Sequence, residues 1–140
     1  MLRKFAVLAA SLFTMAGLAW AADEETPTGK LMEQIQNKTN AIRKVTRNAV
    51  EYKKGAASIA KNAEEVIKLS KEGREIKDSA EKEKKPFAEY QKLMDDMIKS
   101  TEELSKVTAN AKSTQAQAKE AFTAYTKTCA ACHAVFKKDE

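Results

Sequence analysis

Cys129, Ala130, Ala131, Cys132 and His133 gather both cysteines and the only histidine of the 140-residue chain into five consecutive positions. C-x-x-C-H is the spacing of a c-type haem attachment site. Two thiols one helical turn apart can add across the two vinyl groups of one haem, and the adjacent imidazole then reaches the iron from one face. The other chemistries open to these residues fit less well. Structural zinc needs four ligands, and no further Cys or His exists to complete a common set. A redox C-x-x-C belongs in a βαβ setting, for which the chain has no strand pattern. No acid–base or nucleophile constellation accompanies the motif, so no enzyme is expected.

Positioning the motif requires elements on both sides of it. Residues 1–21 read as a cleaved secretory signal: Arg3 and Lys4 precede an apolar run from Phe5 to Ala19, and Ala19-Trp20-Ala21 is a small-x-small cleavage site. Residues 22–140 then form a single domain. Export to the periplasm agrees with a protein whose thiols are consumed outside the cytoplasm. No later segment is apolar enough to span a membrane, so no membrane association is expected after cleavage. Loss of Arg3 and Lys4 lowers the net charge from +5 to +3, and two haem propionates would nearly cancel the remainder. The basic composition therefore does not call for nucleic acid.

The remainder is rich in Ala, Lys, Glu and Gln, with apolar residues at helical spacing. The pattern predicts four helices. The first runs over 28–54, with Thr28 as N-cap, a stripe from Leu31 through Ile35, Ile42, Val45 and Tyr52, and Gly55 as its stop. The second covers 56–71, closing near Gly73. Residues 72–85 are highly charged and read as a solvated connection with room for one helical turn. The third starts at Pro86 and carries Phe87, Tyr90, Met94, Met97 and Leu104 to about Asn110. The fourth starts after Ser113 or Thr114, where Thr114-x-x-Gln117 matches a capping box. Its stripe is Ala118, Phe122, Tyr125, Cys129, Cys132 and Phe136, which places both cysteines on the apolar seam. Short connections between such helices imply an all-α, antiparallel up-down-up-down four-helix bundle, with the haem near the C-terminal end of the last helix. The start of the first helix and the start of the third share that end, bringing Met32, Phe87 and Tyr90 towards the motif.

An apolar leader, a four-helix pattern and a single C-x-x-C-H near the C-terminus, in TCAACHAVFKK (residues 128–138), together resemble the cytochrome c prime family, the class II c-type cytochromes. The resemblance implies one covalent haem c on Cys129 and Cys132, with His133 as proximal iron ligand and Lys137 or Lys138 as the basic residue that follows. It implies two kinds of sixth position. In some members a methionine from the first helix ligates the iron, and the protein passes electrons to redox partners of the exported space. In others the iron is five-coordinate and binds small gases such as nitric oxide or carbon monoxide. Met32, in KLMEQIQ, lies in the right region for the ligand, although Leu31 fits the core stripe better and Met94 and Met97 read as core. The resemblance also implies a homodimer through the first two helices. Lys127, Lys137 and Lys138 could steer an acidic partner, pair with propionates or only solvate the surface.

Overall fold

The computed structural model describes residues 26–137, all of whose regular structure is helical; the leader expected over 1–21 lies outside the described residues. The elements are α1 (Pro27–Thr46), α2 (Ala49–Gly73), α3 (Asp78–Lys82), α4 (Phe87–Ala109) and α5 (Gln115–Phe136). The four long helices make an antiparallel bundle in which α1 packs on α2, α2 on α4 and α4 on α5, while α1 and α5 close the ring through much sparser contact. The expected four-helix bundle is the fold.

The core follows the apolar stripes. Leu31, Ile35 and Ile42 of α1 meet Tyr52, Ile59, Ala63 and Val66 of α2, then Tyr90, Met94, Met97 and Leu104 of α4 and Ala118, Phe122 and Tyr125 of α5. Buried hydroxyls do not disturb it. Thr39, Thr46, Ser70, Thr101 and Thr108 each donate to the carbonyl four residues back in their own helix.

The first two helices divide differently from expectation. α1 ends at Thr46, and α2 begins at Ala49 and runs through Gly55 without interruption. The break is set by Asn48, an extended residue whose side chain accepts from the Glu51 amide at 3.0 Å, satisfying a first-turn donor of α2. Gly55 instead permits close approach, since a Cβ there would lie 3.0 Å from Val45 Cγ1 across the α1–α2 contact. Thr28 is not the N-cap of α1 either. Thr26 is, accepting from the Gly29 amide at 3.0 Å, with Pro27 in the first helical position.

α4 and α5 start where expected. At Thr114 the capping box is complete: Gln117 N–H donates to the Thr114 hydroxyl at 3.3 Å, and the Gln117 side chain accepts from Thr114 N–H at 2.8 Å. The charged connection holds the helical turn expected of it and is also anchored to the bundle. It contains α3, buries Ala80 and reaches back to α1 through Asp78.

Candidate haem-binding site

The seam between α1 and α5 positions the chemistry. Cys129 is half-buried against the core and Cys132 is buried; neither is in a disulfide. With His133 they span about 100° of the α5 circumference. His133 is exposed in the last turn, and its carbonyl accepts from Lys137 N–H at 2.9 Å. The Cys129 thiol donates to the Tyr125 carbonyl at 3.7 Å. Burial pushes both thiols up, Cys132 to about 11, with Cys129 as the second cause there. Two protonated, apolar-facing thiols are unlike the low-pKa pair of a dithiol oxidoreductase.

Aromatic rings flank the cysteines along α5. On one side Phe122 and Tyr125 sit 6.0 Å apart, with the Arg43 guanidinium 6.0 Å over the Phe122 ring. On the other, Phe136 meets Tyr90 edge-to-face at 5.4 Å, and Phe87 stacks on Tyr90 at 6.1 Å. The expected gathering of Phe87 and Tyr90 at this end of the bundle is therefore present. Burial, and after it the neighbouring Cys132 and Asp78, push the Tyr90 phenol up to about 12, against the lowering effect of Thr28; its O–H donates to the Gly73 carbonyl at 3.1 Å.

The placement of Met32 comes from the register between α1 and α5. Gln115 donates to the Thr46 carbonyl at 2.8 Å, Arg43 lies over Phe122, and Thr39 and Tyr125 share a hydrogen bond at 2.6 Å. Met32 lies seven residues before Thr39, and Cys132 seven residues after Tyr125. Seven residues are two turns, so each step advances about 10.5 Å and returns to the same face within about 20°. Met32 thus stands on the α5-facing stripe at the level of Cys132. Leu31 turns away, its Cδ2 reaching 3.0 Å from where a Gly73 Cβ would stand, beside Met94. Met32 itself is half-buried against the core.

The donor set fits a haem. Two thiols one turn apart face a thinly packed seam, rings stand above and below them, and an imidazole follows at the next residue. Sequence reasoning missed Asp78 and the Thr39–Tyr125 pair. Neither has a local signal, because their partners lie 50 and 86 residues away.

No curated protein and no solved structure matches the chain. A family model described as Cytochrome C' matches residues 26–137. That match spans the whole described bundle, motif included, and the chain belongs to the cytochrome c' family of c-type haem proteins.

Proposed function

We propose that this chain is an exported monohaem electron carrier, with haem c bound through Cys129 and Cys132, His133 as proximal ligand and Met32 as the sixth. The register that sets Met32 opposite Cys132 carries this reading. The haem supplies the one-electron ferric–ferrous couple. The residues around it would do the rest: Cys129 and Cys132 would tether it, His133 and Met32 would hold the iron, and Phe87, Tyr90, Phe122 and Phe136 would keep water out. Thioether ligation raises the potential and favours electron transfer over ligand binding. Residues 1–21 would direct the chain to the periplasm, where its partners are redox proteins; no enzymatic role is assigned, and a second copy could pair through α1 and α2. No helix among the described residues is long and apolar enough to cross a membrane.

The rival reading is gas binding at five-coordinate iron. It draws on the packing of Met32 against the core, which would make this side chain an apolar wall instead of a ligand. The absorption spectrum of the purified holoprotein separates the two. Thioether ligation gives a low-spin ferric protein with a weak far-red sulfur-to-iron band that Met32→Ala removes. A high-spin ferric protein that binds carbon monoxide readily on reduction refutes the Met32 assignment. Haem released by acid–acetone refutes covalent attachment.

A further inference from the structure

The first turn of α1 is completed by a residue from the far side of the chain. Each of its donors can be followed. Pro27 has none. Gly29 N–H donates to the Thr26 hydroxyl at 3.0 Å, and Lys30 N–H to the Thr26 carbonyl at 3.0 Å. Thr28 N–H donates to Asp78 Oδ2 at 3.0 Å, and the buried Thr28 hydroxyl donates to the other carboxylate oxygen. α1 has no acidic residue in its own first turn, so Asp78 also supplies the negative charge that the helix dipole favours there.

Asp78 is itself anchored. Ser79 N–H donates to its Oδ1 at 2.6 Å, and Ala80 of α3 is buried in the core. Beside this strap the Tyr90 hydroxyl holds the end of α2 at Gly73, and the Tyr90 ring meets Phe136 of α5. The start of α1 packs on α2, where Leu31 reaches Gly73, and the strap adds a polar tie at its first turn, while direct contact between α1 and α5 is sparse. Met32 sits one turn beyond Thr28.

We propose that Asp78 is a positioning residue for the sixth side of the haem iron: its carboxylate fixes the first turn of α1 and thereby sets where Met32 meets α5. This rests on the reading of Met32 given above.

The test compares wild-type holoprotein with Asp78→Ala, Asp78→Asn and Ile59→Val, the last a core change remote from the strap and of comparable stability cost. Loss of the cap is expected to speed amide exchange at residues 28–32 by about five- to ten-fold in Asp78→Ala. The same variant should weaken the ferric sulfur-to-iron band and gain high-spin signal. Asp78→Asn, which keeps one acceptor oxygen, should fall between. Ile59→Val should keep the wild-type band and local exchange. Unchanged exchange in Asp78→Ala overturns the proposal, and so does faster exchange with an intact band. A wild-type protein without the band overturns the Met32 reading alone. Carbon monoxide association then decides for Asp78: faster binding in Asp78→Ala than in Ile59→Val supports the positioning role, and equal rates overturn it.

Discussion

Thr39 and Tyr125 give a sharp test of how α1 is joined to α5, because the two ends of their hydrogen bond are not equivalent. The single Thr39 hydroxyl proton goes to the Ile35 carbonyl at 2.8 Å, so in the 2.6 Å contact the Tyr125 O–H must be the donor. Tyr125 is fully buried. Tyr125→Phe removes that donor and leaves no orphan, since Thr39 still donates within its own helix; the expected loss is about 1 kcal/mol. Thr39→Val is nearly isosteric but leaves the buried phenolic O–H with only the weakly accepting Cys129 sulfur beside it, adding a desolvation penalty of about 1–3 kcal/mol to the lost bond. The Ile35 carbonyl loses only its second partner. The double variant removes both polar groups and should recover most of the Thr39→Val penalty. Urea unfolding of the ferric holoprotein, followed by helical circular dichroism, measures all three, with unchanged m-values as the two-state check. If Thr39→Val costs no more than Tyr125→Phe, or the double variant costs the sum of the singles, the assignment of the donor is wrong.

Three further outcomes follow from the same packing. Gly55→Ala should forgo the helix-propensity gain of about 1 kcal/mol, because its Cβ would press at 3.0 Å on the branched, rotamer-stiff Val45; a full gain in thermal stability would contradict this. Burial opposes ionisation of Asp78, but hydrogen bonds from Thr28 and Ser79 outweigh it and hold the carboxyl below its usual value. Its stabilisation is therefore complete above about pH 4 and lost as pH falls through the lowered folded value, so the urea midpoints of wild type and Asp78→Asn should converge in acid. A gap that stays constant with pH would exclude that linkage. Cys132→Ala and Cys129→Ala should each leave a haem held by one thioether, with a shifted pyridine haemochrome spectrum, and the double variant should lose haem on acid–acetone extraction.

α4, α5 and the motif were legible because their signals are local. Pro86 and the Thr114–Gln117 box mark helix starts, and Cys129 and Cys132 continue the stripe of Phe122 and Tyr125. The division of α1 from α2 is harder to see because Gly55 has the form of punctuation, whereas Asn48-x-x-Glu51 carries the cap. A glycine inside a helix can mark a close neighbour as readily as an end, and only the position of Val45 decides which. The connection over 72–85 reads as solvated with room for one turn, but its anchoring in the core is hidden because Ile76 and Ala80 are too few to show a period. Asp78 matters through a partner 50 residues away, which no window of sequence contains.

The buried hydroxyls have a consequence for how the bundle opens. Thr46, Ser70, Thr101 and Thr108 are each satisfied inside their own helix, so separating the helices strands none of them. Swinging α5 away from α1 breaks one fully buried polar link, Thr39–Tyr125, while Gln115 on the Thr46 carbonyl and Tyr52 on the Ser113 carbonyl stay near the pivot at the far end. Polar satisfaction therefore resists opening of this seam at one buried point only, and the remaining resistance is apolar packing.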